Sequence, residues 1–318
     1  MSRLAIVPSV IETTDRVEAR WAFEFWRSTA LAPFGDVARV RPDGPFRARR
    51  LAVAQADWVM TRTVSSPVGL TFGRRHVDRN APETVVVGLG LDGLGYHEQR
   101  GRGGRIAAGT VSFLSRNRPF VAGTHCDYEE LRLAVPRRTF EAWVGEADAF
   151  AGRLIADEAA SGAFQTCFRA FAASVAWLSE DEARIAVEGV LHMLRNLARD
   201  PHAPSGVQVS REAVLALARA HIARRMHDPG LDPDEIHTVL GLSRAHLYRA
   251  FSDTDGVAAA IREARLLRAH RRLTSPTGDR PKIATIAYAC GFTDVPTFNR
   301  AFRKRFGHAP GELRADRP

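Results

Sequence analysis

The sequence predicts an α+β chain: an N-terminal antiparallel β-barrel or jelly roll with helices, then an all-α domain with two helix-turn-helix units. Three observations carry this expectation. Apolar residues alternate with period 2 from Pro45 to about Val135, the mark of short half-buried strands. Helical spacing takes over after Pro136. A helix, a Gly turn and a second helix occur twice in the last third, at Gly241 and at Gly291. With 318 residues and roughly 100–200 residues per domain, two domains are expected.

Near the N-terminus, Trp21, Ala22, Phe25, Trp26 and Thr29 recur at helical spacing, which predicts a helix within Glu18–Phe34 with an aromatic stripe on the core. Strands follow. Trp58, Met60, Arg62 and Val64 alternate, as do Val85, Val87, Leu89 and Leu91, then Val111 and Phe113, then Leu131, Leu133 and Val135. Asp92-Gly93, Gly101-Arg102-Gly103-Gly104 and Asn117-Arg118-Pro119 are the turn signals between them. Trp58, Phe72, Tyr96 and Phe113 are candidates to line a pocket inside the barrel. Beyond it, Ser161–Leu178 reads as one helix, and Ser179-Glu180-Asp181-Glu182 has the capping-box form that opens another. These two helices suit either intramolecular packing or dimerisation through 161–198. The polar, Pro-rich Asp200–Gly206 reads as a linker. The expected division is 1–140, 141–206 and 207–318.

In the last part, Asp232 suits an N-cap, Pro233 the first helical position and Glu235 the third, completing a capping box. Ile236, Val239 and Leu240 form the buried face. Gly241 supplies the positive φ of a sharp turn, Leu242 plugs the corner and Ser243 caps the next helix. That helix buries Leu247 and Phe251 and turns Arg244, Ala245, Tyr248 and Arg249 outward. The second copy has Ile283, Ile286 and Ala287 on its first face, Gly291 at the turn and Phe292 as plug. Thr293 or Asp294 caps its second helix, which buries Phe298 and Phe302. Val295, Pro296, Asn299 and Arg300 lie on its outer side, with Arg303 and Lys304 beyond. Between the units, Ala258–Leu273 reads as a connecting helix ending at Ser275-Pro276.

The chain carries 45 Lys and Arg against 36 Asp and Glu, a net charge of +9. The excess is uneven: residues 207–318 hold 19 and 12, a net +7, and the preceding 206 residues hold 26 and 24, a net +2. That asymmetry fits a nucleic-acid partner for the last third, or a solvated basic face. Arg, Asn and apolar outward residues suit it: guanidinium to guanine or phosphate, Asn to adenine, apolar groups to thymine methyls.

Several classes are excluded as expectations. The longest stretches free of Asp, Glu, Lys and Arg are Thr63–Gly73 and Ile283–Thr293, 11 residues each, against the roughly 20 of a membrane-spanning helix. Nothing near the N-terminus forms a signal-peptide core, so a cytoplasmic location is expected. Cys126, Cys167 and Cys290 are odd in number and far apart, unlike a disulfide scaffold. His76, His97 and His125 have no metal-ligand spacing, so neither metal nor other cofactor is expected.

At the two helical units the chain resembles the AraC/XylS family of transcription regulators. Ile283-Ala284-Thr285-Ile286-Ala287-Tyr288-Ala289-Cys290-Gly291-Phe292, followed by Phe298–Gly311, is similar to the family's second helix-turn-helix and its closing Phe-Gly-x-x-Pro segment. Leu240–Ser243 through Leu247–Phe251 resembles the first unit, and Arg265-Leu266, Ala269 and Leu273 the linker-helix run. The likeness covers about Ser210–Arg314 and implies a seven-helix module on about two turns of double-stranded DNA. It departs at Pro296, which removes a backbone donor from the tip of a recognition helix, and at Gly256–Ala259, which lacks a proline matching Pro310. The Phe25-Trp26 helix, the strands, and Gly109–Leu114 before Arg118-Pro119-Phe120 are similar to the family's cupin-like sensor domain. That likeness implies a small-molecule effector inside the barrel and a homodimer through the following helices; activator and repressor both stay open, with RNA polymerase a candidate partner of an activator. The alternatives are a cupin-type enzyme, or a redox or alkylation sensor using Cys126, fused to the DNA-binding module. The residues show no catalytic Ser/His/Asp arrangement, and the expectation is a protein that is not an enzyme.

Overall fold

The computed structural model describes residues 7–41, 44–78, 80–199, 211–274 and 281–315. The chain forms two compact units, Met1–Val209 and Ser210–Pro318. The expected linker Asp200–Gly206 and the Ser275-Pro276 stop lie outside the described residues.

The first unit holds two antiparallel sheets. One has the order β1 (Ser9–Thr13), β3 (Ala48–Gln55), β4 (Trp58–Ser65), β11 (Tyr128–Pro136), β6 (Thr84–Asp92), β9 (Val111–Ser115), β12 (Leu154–Ile155). The other runs β2 (Asp36–Arg39), β5 (Val68–Phe72), β10 (Phe120–Thr124), β7 (Gly95–Gln99), β8 (Arg102–Ile106). Register decides what each face carries, because side chains alternate along a strand. Thr61, Arg132, Gly88 and Ser112 stand in one cross-strand row, and Thr63, Glu130 and Gly90 in the next. This face is turned toward the second sheet. The opposite face carries Met60, Leu131, Leu133, Val87, Leu89 and Phe113, all buried.

Helices cover that apolar face. Phe113 packs edge-on against Phe140 of α2 (Arg137–Trp143) and lies 5.1 Å from the Phe150 ring of α3 (Ala147–Phe150). Trp58 meets Phe171 of α4 (Glu158–Ser174) at 5.9 Å. α4 ends four residues before the predicted Leu178, in a 3-10 turn over Val175–Trp177. The predicted capping box opens α5 (Glu180–Arg199): the Glu182 backbone N–H donates to Ser179 Oγ at 3.4 Å, and Ser179 N–H donates back to Glu182 Oε2 at 3.0 Å. The first predicted helix needs a correction. It shortens to α1 (Ala22–Trp26), passes into a π turn over Arg27–Leu31 and closes with a 3-10 turn over Ala32–Phe34. Trp26 and Ala22 are buried as expected, but Trp21 is 57% exposed.

Among its described residues the second unit has seven helices: α6 (Arg211–Arg225), α7 (Pro233–Val239), α8 (Arg244–Ala250), α9 (Val257–Thr274), α10 (Ile283–Ala289), α11 (Val295–Phe306) and α12 (Pro310–Ala315). One core gathers Leu266, Ala269 and Leu273 of α9 with Ile286, Ala287, Phe292, Phe298 and Phe302. Cys290, fully buried there, is a packing residue whose thiol burial pushes toward the neutral form. At about 1.5 Å per residue, α9 is roughly 27 Å long.

Candidate nucleic-acid interface

Each predicted turn is built by the residues that announced it. Asp232 Oδ1 accepts the Glu235 N–H at 2.8 Å to start α7. Gly241 then takes φ 63°, and Ser243 Oγ accepts the His246 N–H at 3.2 Å to start α8. In the second unit Gly291 takes φ 85°, and Asp294, not Thr293, is the cap: its carboxylate accepts the Thr297 N–H at 2.7 Å. That bond, with the Thr297 hydroxyl adding to it, holds the Asp294 carboxyl below its ordinary range. Pro296 sits in the first turn of α11, where its missing N–H costs no helical bond.

The outward residues are where the pattern puts them. On α8, Leu247 and Ala250 are buried, while Arg244, Ala245, Tyr248 and Arg249 are exposed. Tyr248 keeps 49% of its surface open. On α11, Phe298 and Phe302 are fully buried, and Pro296, Asn299, Arg300 and Lys304 are exposed; Val295 is half-buried.

The cations are not equally free. Arg244 is held by Asp234 at 2.5 Å, in the first turn of the preceding helix. Arg303 pairs with Glu312 of α12 at 3.0 Å, and Arg305 with Glu263 of α9 at 2.8 Å. Arg300 bonds only the Thr297 hydroxyl, at 3.1 Å, among the described residues. Arg249 and Lys304 have no ion-pair partner there. Arg219 of α6 and Arg262 of α9, which sequence reading passed over, line the same groove as Arg300 and Lys304. Outward positions on those two helices, read with the same care as α8 and α11, would have marked them.

The capping box at Asp232 is half of what was predicted. The Glu235 carboxylate does not return to the Asp232 N–H; it takes His221 Nε2 at 2.8 Å, with Arg225 at 3.3 Å. His221 is almost wholly buried, and burial first, then the charges of Arg224 and Arg225, lowers its pKa despite Glu235. α7 is thus tied to α6 by a half-buried polar network around the buried His221, a feature with no local sequence signal.

In the first unit, the space between the sheets is a cavity of about 40 Å³. Of the four predicted pocket aromatics, Tyr96 lines it. Trp58 and Phe113 are on the opposite face, under helices, and Phe72 stacks on Phe120 in an end cluster. Periodicity shows that residues share a face; it does not show which face is inside. His76, His97 and His125 do not converge: His76 Nδ1 accepts the Gly73 N–H, His97 contacts the Gly152 carbonyl, and His125 lies against Tyr96. No cluster of three metal-ligating side chains occurs among the described residues. Nor is any helix among them long and apolar enough to cross a membrane. Cys126 Sγ accepts the Leu94 N–H at 3.2 Å.

A helix-turn-helix domain family matches residues 236–316. The transcriptional activator NphR of a Rhodococcus species is 25% identical over 297 residues, covering 89% of this chain and 79% of its own. The crystal structure of the AraC-like transcriptional activator CuxR shares the fold, with a TM-score of 0.53 and 18% identity over 83% of this chain and 95% of that one. The domain match on the doubled helical unit, an activator aligned along most of the chain and an AraC-like fold show a chain similar to the AraC/XylS-type DNA-binding transcription regulators, with an N-terminal β-sheet domain.

Proposed function

We propose that the chain reads a specific duplex sequence by placing α8 and α11 in successive major grooves, and that a small molecule held between the sheets of the first unit governs this binding. The observation that carries the reading is the matched construction of α8 and α11. Each is capped at its N-terminus, buried by large apolar residues on one side and open on the other. Arg249 and Arg300 are the direct readers of guanine edges, since both are exposed and without a carboxylate partner among the described residues. Asn299 suits adenine, and Ala245, Tyr248, Val295 and Pro296 suit thymine methyls. Lys304 suits phosphate. Arg244 contributes only if it leaves Asp234, so it is a phosphate contact or a strut rather than a base reader. By analogy with its activator relative the chain raises transcription, acting with RNA polymerase in the cytoplasm, and no enzymatic step enters.

Selection of duplexes from a random library tests the groove model. Two enriched blocks about one helical turn, roughly 34 Å, apart are expected. A single block, or none at moderate salt with and without a cell extract's small molecules, refutes it. A homodimer through 161–198 belongs to the same reading. Trp177, in the 3-10 turn after α4, is 54% exposed and is the large apolar side chain left open among the described residues of 161–198. Light scattering is expected to give twice the chain mass, and Trp177→Glu to halve it.

A further inference from the structure

The polar residues of the inner sheet face have found no part in DNA binding, and they define a chemistry. Arg132 and Glu130 stand two residues apart on β11, both turned between the sheets, with Arg132 Nε 2.9 Å from Glu130 Oε1. Glu130 is the one carboxylate in ion-pair contact with Arg132 among the described residues. It occupies the Nε edge of a planar five-donor group whose other edge suits a second oxyanion. The surface that Arg132 keeps belongs to the cavity wall.

A second guanidinium, Arg116, lies close enough to feel Arg132 but is not on the cavity wall. Arg116 follows Ser112 and Leu114 along the inner face, just past the end of β9. Burial and then the charge of Arg132 lower its pKa, so the two cations feel one another. Its contacts are the Phe34 ring at 4.8 Å and the Pro33 carbonyl at 3.4 Å, with no carboxylate among the described residues. His97, close enough to feel Arg132, is held toward its neutral form by burial first. The cavity wall carries Asp92, Glu129 and Glu130 beside Arg132, so what suits a further oxyanion is the unbonded edge of Arg132 and not a net positive interior.

The opposite strand makes room. Gly88 pairs across from Arg132 and Gly90 across from Glu130. A Cβ at 88 would come within 2.4 Å of Ser112 Oγ, and one at 90 within 2.5 Å of the Ala107 carbonyl. The cavity they keep open is about 40 Å³. At roughly 10–15 Å³ for a water molecule, it holds a group of a few atoms, not a drug-sized body.

We infer that the cavity is a binding site for a short-chain organic carboxylate, its oxygens on the free edge of Arg132 beside Glu130. This rests on the effector reading above and adds the chemical class. The expected mode is charge-assisted hydrogen bonding from Arg132, with Ser112 and Thr124 among the hydroxyls on the wall.

Isothermal titration of the full chain tests it, with acetate, propionate and butyrate set against propionamide and inorganic phosphate at constant ionic strength. At least one carboxylate is expected to bind at least tenfold more tightly than propionamide and phosphate. Arg132→Gln is expected to abolish the difference, and Arg132→Lys, which keeps the charge and loses the fork, to reduce it. Gly88→Ala brings a methyl to 2.4 Å from Ser112 Oγ, crowding that wall hydroxyl without removing a charge, and is expected to weaken carboxylates at least tenfold; it stands in if Arg132→Gln does not fold. Equal binding of amide and acid, preference for phosphate, no heat from any carboxylate, or unaltered binding in the folded variants each overturn the inference. Repeating the titrations with the selected duplex separates the two readings. A carboxylate that binds but leaves duplex affinity unchanged defeats the effector reading alone. A neutral ligand that changes duplex affinity defeats the carboxylate alone.

Discussion

The two helix-turn-helix units share a plan and differ in their anchorage. The first has a largely aliphatic buried face, Ile236, Leu240 and Leu247 with Phe251, and is tied to α6 by His221, Glu235 and Arg225. The second is packed on aromatic rings: Phe298, Phe302 and Phe306 form a chain with centroids 5.5 and 4.6 Å apart, and Phe292 meets Phe298 at 5.0 Å. Its recognition helix is also longer, 12 residues against 7, and ends at Gly307 in the left-handed region. A repeated motif therefore fixes the turn and the outward face, while the means of holding it to the rest of the domain is free to differ.

The sharpest test of that contrast is to remove one anchor at a time. Phe302→Ala deletes a fully buried ring that contacts four others, and is expected to cost about 3–5 kcal/mol of unfolding free energy. Leu247→Ala on the first side is expected to cost less, within about 2–5 kcal/mol. Denaturant melts of the full chain, followed by far-ultraviolet circular dichroism, give both values; an equal or reversed order breaks the contrast.

The turns rank next. Gly291 has positive φ, and a Cβ there would lie 2.2 Å from the Met226 carbonyl and 2.8 Å from Arg265 Nε. Arg265 is itself engaged, donating to the Met226 and Asp228 carbonyls at 2.9 and 2.7 Å. Gly291→Ala thus strains the backbone and disturbs the staple between α9 and the end of α6. It is expected to cost more than Gly241→Ala, for which left-handed strain alone gives about 1–2 kcal/mol. Melts that show the two substitutions equal would mean the staple yields freely.

Readout is the third rank. Arg249→Ala and Arg300→Ala are each expected to relax one block of the selected duplex by about 1–3 kcal/mol, leaving the other block and the fold intact. Binding titrations against single-block mutants measure this. Loss spread evenly over both blocks would make these residues phosphate contacts.

Much of this was legible because it is local. Gly241 and Gly291, the caps Asp232 and Ser243, and the plugs Leu242 and Phe292 lie within a few residues of what they do, so spacing alone assigns them. The period-2 runs likewise announced β4, β6, β9 and β11. What failed was non-local. Glu235 was assigned to Asp232 because they are neighbours, yet its carboxylate goes to His221, 14 residues back. Trp58 and Phe113 have the right parity for a shared face, but the covering helices decide that this face is not the cavity. The polar row of Arg132, Gly88 and Ser112 comes from three strands, and no single window contains it.

The smallest expected effect is a dependence on pH, and it separates the anchors again. His221 is buried among Glu235, Arg224 and Arg225, and burial leads the causes that set its pKa below the ordinary value near 6.5. The unfolded chain then binds more protons than the folded one, so this contribution is present above about pH 6.5 and is lost as pH falls through the folded value. On the second side His270 is also lowered, by burial first and then by His308 and Arg305, but it is only half-buried against Phe302 and Phe306. Both histidines therefore weaken the domain on acidification, His221 the more because its desolvation is deeper. His221→Gln, which keeps a donor toward Glu235 and cannot gain charge, is expected to flatten the fall in melting temperature between pH 7 and 5 more than His270→Gln does. A larger effect from His270 would shift the acid-sensitive anchor to the aromatic side and leave the Glu235 network as packing alone.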